Sequence, residues 1–377
     1  MKDAISGDPA GSMRACLLPT RQALLVSRRR VSRTTRGDRD MPAYKTLSPI
    51  ATTEPTKASF NIVACVGRGP HADFIVPHAL AVGKALGAPV TLLQVLEAQA
   101  VRDPRPDPIE WDMRRHDARK LLGGLAMVAG DPSGRADIAL AEGRTVDEIC
   151  RYANGKAECV IILGRGAGED VDPRRIGSTV HNVAGRAPGS ILLVPNDANA
   201  DPAPRYRRIL VPVDGSAWAE SVLSLAVRMA KANDAELTLV HVVPTPELTE
   251  IGPLEPDDIQ LRARVVERNE RTAKAYLARV KAYLAQSGVH VRTLSHRSDD
   301  VRASLVDLIR SEAADLVVLS ARGHGGRHHA DLRYGSVSAY LMAQSPVPLL
   351  IVRPRESETA GLRDESIHLR RPSVGQG

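Results

Sequence analysis

One short unit of sequence occurs twice in the chain and constrains the fold more than any other feature. Each copy has an apolar run, a glycine-containing loop, a Gly-Ser pair at the start of a predicted helix, and a second apolar run. The C-terminal copy consists of residues 316–319, Gly335-Ser336 and residues 347–352, and the N-terminal copy of residues 159–163, Gly177-Ser178 and residues 191–194. Backbone N–H groups at the start of such a helix suit an anion such as a phosphate.

Aliphatic strand-like runs alternate with helical patterns on both sides of the two units. Aromatic residues are scarce, with two Phe and two Trp, so the core has to be built from Val, Leu, Ile and Ala. Continuous aliphatic runs are typical of parallel strands buried on both faces. The sequence therefore predicts an α/β protein with two tandem, doubly wound, five-stranded parallel-sheet domains at 58–196 and 206–354. A linker rich in Asp, Asn and Pro joins them at 197–205.

Several local elements follow from shorter signals. The third strand of each domain is predicted at 136–140 and at 289–294. A single helix is predicted at 218–232, where apolar residues follow helical spacing. Thr145 and Glu148 have the spacing of a capping box, which predicts Thr145 as the N-cap of a helix.

The formal net charge of +7 is concentrated towards the two ends of the chain. Residues 1–57 and 355–377 show no helical or strand period and are predicted to be disordered tails. For the first tail, an Arg-rich transit-peptide style and a true start at Met41 remain alternatives. No aromatic or recognition motif accompanies the basic residues, so nucleic-acid binding is not expected. No apolar run approaches the length of a membrane span.

The cysteines and histidines provide no clear metal motif. Cys16, Cys65, Cys150 and Cys159 form no C-x-x-C pair, and a reducing compartment is the default expectation. Cys65 and Cys159 fall in predicted core strands, where cysteine acts as a small hydrophobic residue. The C-terminal loop has three histidines, but a metal site also needs fixed ligands, so no metal is predicted.

The repeated unit resembles the C-terminal half of a universal stress protein domain. Nucleotide-binding members of that family have the motif G-x2-G-x9-G-[ST] there. The N-terminal copy has Gly164, Ala167, nine residues and Gly177-Ser178. The C-terminal copy has Ser320, Gly323, eleven residues and Gly335-Ser336. The motif at 211–216, V-P-V-D-G-S, also resembles the first-strand end of the family, and the resemblance covers about residues 58–354.

The resemblance implies a strand order of 3-2-1-4-5 and a cytoplasmic stress-response protein that binds ATP or AMP, with Mg²⁺ only as a companion of the nucleotide. A ligand in such a sheet lies where the strand order reverses. The expected cofactor-binding residues of the C-terminal domain are Asp214, Gly215, Ser216, His241, Val242, Gly323, Gly325, Gly326, Gly335, Ser336 and Val337. Asp214 would accept hydrogen bonds from a ribose or an adenine, and its alternative role is to cap the turn. The alternative interpretation of His241 is a satisfied edge residue, and that of Ser336 is an N-cap.

The N-terminal domain is predicted to hold a degenerate site. Gly67 occupies the position of Asp214, and the loop after residue 163 mixes arginines with acidic residues. The weaker candidate residues here are Gly164, Gly166, Gly177 and Ser178.

The family resemblance also implies self-association through the fifth strands, either within this chain, through 191–194 and 349–352, or in a homodimer. No P-loop, nucleophile elbow or catalytic triad is present, so slow ATP hydrolysis is the most activity that the sequence suggests. Two functions stay open, a nucleotide-binding regulator and a nucleotide-free interaction or scaffold protein.

Overall fold

A computed structural model describes residues 60–67, 72–97, 107–128, 136–156, 158–166, 176–195, 203–245, 256–323 and 334–353. The predicted tails, Cys16 and Met41 lie outside these residues. The first repeat contains β1 Phe60–Cys65, α1 Ala72–Leu86, β2 Val90–Leu96, α2 Pro108–Val128, β3 Asp137–Glu142, α3 Thr145–Asn154, β4 Glu158–Gly164, α4 Ser178–Arg186 and β5 Ser190–Val194. The second contains β6 Arg208–Pro212, α5 Ala217–Glu220, α6 Leu223–Asn233, β7 Glu236–Pro244, α7 Pro256–Ala285, β8 Val291–Ser298, α8 Val301–Ser311, β9 Leu316–Ser320, α9 Ser336–Gln344 and β10 Leu349–Val352.

The ten strands form one continuous sheet in the order β3-β2-β1-β4-β5-β10-β9-β6-β7-β8. Within each repeat all neighbouring strands are parallel and follow the order 3-2-1-4-5, which confirms the predicted α/β fold. The two predicted sheets are halves of a single sheet, because the fifth strands of the repeats pair with each other.

The central pairing joins β5 to β10 in antiparallel register, with Leu349 opposite Leu193 and Ile351 opposite Ile191. Every residue of both strands is buried. If these short apolar strands were exposed, their unpaired backbone groups would form an edge that promotes aggregation. The predicted fifth-strand pairing within the chain is confirmed. Each fifth strand of the described sheet has a neighbour on both sides, so neither presents an edge to a second chain.

Alternate residues of the strands face two separate layers of helices. One face packs against α1, α2, α6 and α7, and the other against α3, α4, α8 and α9. Neighbouring residues such as Ile62 and Val63 point into opposite cores, and both are fully buried. This double burial explains why the strands read as unbroken aliphatic runs.

Polar contacts across the repeat boundary reinforce the sheet on its first face. The Tyr206 hydroxyl lies 2.8 Å from Nδ1 of His78, and both side chains are buried. Burial raises the pKa of Tyr206, so its hydroxyl stays protonated. Arg228 donates to the carbonyl of Leu86 at 3.1 Å and stacks over the ring of Phe60 at 4.7 Å from its centroid.

On the second face, each repeat places an arginine at the helix end of the other. Arg165, which follows β4, donates to the carbonyl of Ser345 at the C-cap of α9. Arg353, which follows β10, donates to the carbonyls of Ala184 and Ala187 at the end of α4. A cation at a helix C-terminus satisfies the last carbonyls and complements the helix dipole.

Two predictions about helices are wrong. The segment at 218–232 contains two helices, α5 and α6, because the Ser221 hydroxyl bonds back to the Trp218 carbonyl and competes with the helical pattern. Thr145 is the first residue of α3 and not its N-cap, which is Arg144 without a side-chain cap. The Glu97 carboxylate lies 3.3 Å from both the Thr145 backbone N and its hydroxyl, and so takes the capping role.

The third strands begin and end later than predicted, at Asp137–Glu142 and Val291–Ser298. Both are edge strands with one exposed side, so charged residues extend them beyond the apolar run that marks a strand in the sequence. Among the described residues, Cys159 is buried and Cys65 and Cys150 are half-buried, and none of these three is in a disulfide. No described helix is long and apolar enough to cross a membrane.

Replacing Arg353 with Ala tests the contact between the repeats. We expect the free energy of unfolding to fall by about 2 kcal/mol, because hydrogen bonds from a charged donor to the end of α4 are lost. Urea denaturation followed by circular dichroism measures this change. Arg264→Ala, at an exposed arginine of α7, is the control and should change stability by less than about 0.5 kcal/mol. Equal stability of the two variants would contradict the role of Arg353.

Glu142 makes the attachment of α2 to β3 sensitive to acid. A hydrogen bond from Arg115, and to a smaller extent one from Trp111, lowers the pKa of Glu142 from its ordinary value of 4.5 to about 2. A lowered folded-state pKa stabilises the contact above pH 4.5, and this stabilisation is lost as pH falls through about 2. In a Trp218→Phe background, Trp111 emission should change near pH 2. Glu142→Gln should lack this transition, and a midpoint near 4.5 would contradict the interpretation.

Candidate functional site

The candidate site lies at the carboxyl ends of β6 and β9, where the strand order of the second repeat reverses. β6 and β9 are neighbours, while the chain continues from β6 to β7 on the other side. Asp214 follows β6, Gly323 follows β9, and Gly335 precedes α9. The fold therefore brings three of the predicted residues to one edge of the sheet.

Asp214 organises a tight turn and remains exposed at its tip. Its Oδ1 accepts hydrogen bonds from the Ser216 backbone N at 3.0 Å and from the Ser216 hydroxyl at 2.5 Å. Gly215 between them has a φ of 78°, a conformation that favours glycine. Ser216 in turn caps α5 by accepting from the backbone N of Ala219 at 3.1 Å. Asp214 therefore caps the turn, which is the alternative role that the sequence suggested for it.

Gly323, which follows β9, lies against the carboxylate of Asp214. A Cβ atom built on Gly323 would lie 2.5 Å from Oδ2 of Asp214, so only glycine fits without displacing the carboxylate. Gly335 closes the same corner, because its backbone N donates to the carbonyl of Ala321 at 2.8 Å.

The first turn of α9 begins beside this corner. Its N-cap is Gly335, which has no side chain to cap the helix, so Ser336 is not the N-cap that one reading predicted. Ser336 is exposed, whereas the buried Ser338 bonds to the carbonyl of Ser320 at 3.0 Å and fixes the helix to the end of β9. Val337 packs partly into the second core, so its contribution to a ligand would come from the backbone.

The two predicted residues of β7 point to opposite faces of the sheet. Nδ1 of His241 lies 2.8 Å from the carbonyl of Val213, which places the imidazole beside the start of the Asp214 turn. His241 thus has a hydrogen-bond partner within the protein, as the alternative interpretation of the sequence predicted. Val242 is buried in the second core.

Three residues near His241 were missed by the sequence analysis. Tyr276 of α7 meets the His241 ring edge-on at 6.0 Å, and Arg279 lies 5.5 Å from the centroid of the Tyr276 ring. Glu220 of α5 is 3.9 Å from Arg279. Burial, followed by the charge of Glu220, raises the pKa of Tyr276, so the phenol stays neutral. In the sequence, Tyr276 stands next to the core residue Leu277, so nothing distinguishes it from the apolar residues of the helix.

The remaining predicted residues of this loop, Gly325 and Gly326, lie outside the described residues, as do its three histidines. Within the described ranges, no group of His, Cys, Asp and Glu has the geometry of a metal site.

The first repeat lacks the corresponding carboxylate. Gly67 is exposed, and a Cβ atom there would meet nothing within 4 Å. Gly164 ends β4, Gly166 lies two residues further, and Gly177 is the N-cap of α4, with Ser178 exposed at its first position. The Gly177 backbone N donates to the carbonyl of Arg165 at 3.3 Å. This bond corresponds to the one from Gly335 to Ala321 in the second repeat. The Arg165 side chain is buried and donates to the carbonyl of Ser345 in the other repeat.

Gln94 occupies the position of His241 in the first repeat. The backbone N of Val66 donates to Leu93, just as that of Val213 donates to Val240, which fixes this correspondence. Gln94 is 3% exposed, and its Oε1 has no hydrogen-bond partner in the described part of the chain.

The sequence model of the universal stress protein family matches this chain twice, at residues 59–195 and 205–353. The chain belongs to the universal stress protein family. A universal stress protein of Mycolicibacterium smegmatis is 24% identical over 303 residues, which cover 78% of this chain and 98% of that protein. The predicted family and its tandem arrangement are thus confirmed.

Solved structures support the same fold. The crystal structure of a universal stress protein from Archaeoglobus fulgidus superposes with a TM-score of 0.54 at 17% identity, covering 79% of this chain and 97% of that one. A universal stress protein solved in complex with cAMP covers 40% of this chain and 98% of its own, with a TM-score of 0.27 at 20% identity.

Replacing Gly323 with Ala should disturb Asp214. The added methyl forces the carboxylate to rotate away from Ser216, so we expect the free energy of unfolding to fall by about 1 kcal/mol. In an Asp214→Ala background the same replacement should be nearly neutral, because the obstacle is gone. Thermal and urea unfolding of the four proteins measure this coupling. Gly67→Ala, in open space, is the control. Additive effects of the two changes would contradict the contact.

Proposed function

We propose that this universal stress protein is a stress-response regulator that binds an adenine nucleotide, ATP or AMP, in the crevice of its second repeat. The observation that carries the proposal is the meeting of Asp214, Gly323 and the uncapped start of α9 at one sheet edge. A carboxylate acceptor and a set of backbone donors at one corner suit the two ends of a nucleotide, its ribose and its phosphates.

Asp214 is assigned to the nucleoside. Its carboxylate is exposed at the strand tip, and its Oδ1 is already oriented by two bonds from Ser216. A carboxylate fixed in this way can accept a ribose hydroxyl without losing much side-chain freedom on binding. Gly215 leaves the approach to the turn open, because no side chain projects there.

The phosphates are assigned to the start of α9. Its first-turn N–H groups have no partner within the helix, and the glycine N-cap offers no side-chain acceptor in competition with an anion. The exposed Ser336 hydroxyl can add one further donor. Mg²⁺ would enter with the nucleotide as a companion of the phosphates, because the described residues of the crevice offer no cluster of metal ligands.

The first repeat is assigned a structural role. It has Gly67 in place of the carboxylate, and its loop arginine, Arg165, is buried in the contact between repeats. The predicted residues Gly164, Gly166, Gly177 and Ser178 lie at the end of β4 and the start of α4, yet Gly67 offers no acceptor for a ribose.

A nucleotide-free interaction protein is the second candidate function. It is favoured by the eleven residues between Gly323 and Gly335, two more than the family motif has, and by Gly67, which stands in the first repeat where the second has Asp214. Under either function we place the protein in the cytoplasm, in agreement with its family, and assign it no enzymatic activity beyond slow ATP hydrolysis.

Calorimetric titration with ATP and AMP tests the nucleotide proposal, together with analysis of nucleotide released from freshly purified protein. We expect saturable binding by the wild-type chain and at least a tenfold weaker affinity for Asp214→Ala, since one hydrogen bond to a charged group is worth about 1.5–3 kcal/mol. Asp307→Ala, at an exposed aspartate of α8, is the matched control and should bind as the wild type does.

Equal affinity of wild type and Asp214→Ala would move the nucleotide away from this crevice. An absence of heat at about millimolar ATP, the weak end of specific affinities, would favour the interaction protein.

A further inference from the structure

Helix α2 has apolar side chains on the face that points away from the sheet. Its buried residues, Ala118 and Leu122, pack against the core, and Ile109, Met113 and Met127 are 72%, 63% and 84% exposed. At about 100° per residue, these three lie within about 40° of one another and roughly opposite the buried pair. A surface helix normally has charged residues there.

A depression interrupts this apolar face in its middle. It has a volume of about 500 Å³ and is lined by Asp117, Lys120, Leu121, Gly124 and Leu125. A Cβ atom built on Gly124 would meet nothing within 4 Å, so the helix backbone is open to close approach at this point. Small residues at such a position allow another element to lie close to a helix.

The aligned positions of α7 in the second repeat have different side chains. The buried Ala-x3-Leu pair of α2 recurs in α7 as Ala273 and Leu277, which aligns the two helices. In this alignment Tyr276 and Arg279 occupy the positions of Leu121 and Gly124, and Arg268 that of Met113. Side chains fill the equivalent space in α7, so the apolar face is a property of α2 and not of the repeated fold.

We propose that this face binds the same face of a second copy of the chain, with the two α2 helices antiparallel across a two-fold axis. The argument is the charge pattern, because the face is complementary to itself. When Asp117 of one copy lies level with Lys120 of the other, the symmetry forms this ion pair twice. In the same register Met113 of each copy lies over the depression at Gly124 of the other. Ile109 of each copy then lies within one residue of the height of Met127 of the other.

The dimer is expected to be weak. α2 has 21 residues and is about 31 Å long. A pair of such helices buries less than the roughly 800 Å² per partner that stable complexes usually bury. Exposed charges contribute little affinity but strongly disfavour a register that sets like charges together. Association should therefore depend on protein concentration and on the sign of the two charges.

Sedimentation velocity of the full chain from about 5 to 500 µM, a range of weak protein affinities, measures the association. We expect a monomer–dimer equilibrium for the wild type. Asp117→Lys and Lys120→Asp should each be monomeric, because each sets two pairs of like charges opposite one another. The double variant Asp117→Lys/Lys120→Asp should dimerise again, because it restores both pairs with reversed sign.

Lys281→Asp, the same charge change at an exposed residue of α7, is the matched control and should dimerise as the wild type does. A wild type that stays monomeric at about 500 µM, at the weak limit of the range, would overturn the proposal and assign the face to a different partner. A dimer insensitive to the single changes, or a double variant that stays monomeric, would equally overturn it.

Discussion

The antiparallel contact of β5 with β10 is the constraint on which the rest of the structure depends. Both strands are entirely apolar and entirely buried, and each has the other as a hydrogen-bonding neighbour. Without this contact each repeat would end in an exposed edge of the kind that promotes aggregation. Once it forms, the helices at its sides come together, which allows Arg165, Arg353 and the pair of Tyr334 and His181, 2.8 Å apart, to bridge the repeats.

Much of the architecture could be predicted because its cause is local. Unbroken aliphatic runs specify buried parallel strands, and glycine–serine pairs mark where α4 and α9 begin. The family resemblance then supplied the strand order and the pairing of the fifth strands. The errors occur where a neighbour outside the segment decides the outcome. Glu97 caps α3 from 48 positions away, and the edge strands β3 and β8 extend on charged residues that no hydrophobic period marks.

The candidate site shows the same limit more sharply. Asp214, Ser216, Gly323 and Gly335 were predicted because they match positions of the family's motifs, which lie at the end of a strand or the start of a helix. The sequence could not show that Gly323 lies against the Asp214 carboxylate, or that Tyr276 and Arg279 approach from a helix about 60 positions away. The sequence also could not show that Arg165 donates to the Ser345 carbonyl of the other repeat, because the two residues are 180 positions apart.

Joining both halves in one polypeptide changes what dilution can do to them. Two separate chains that share a sheet come apart as they are diluted, whereas a tethered partner is always present at a high effective concentration. Two identical chains also acquire every substitution in both subunits at once. Here Asp214 in one half and Gly67 in the other coexist in a fixed ratio, so each molecule always contains one half with the carboxylate and one half without it.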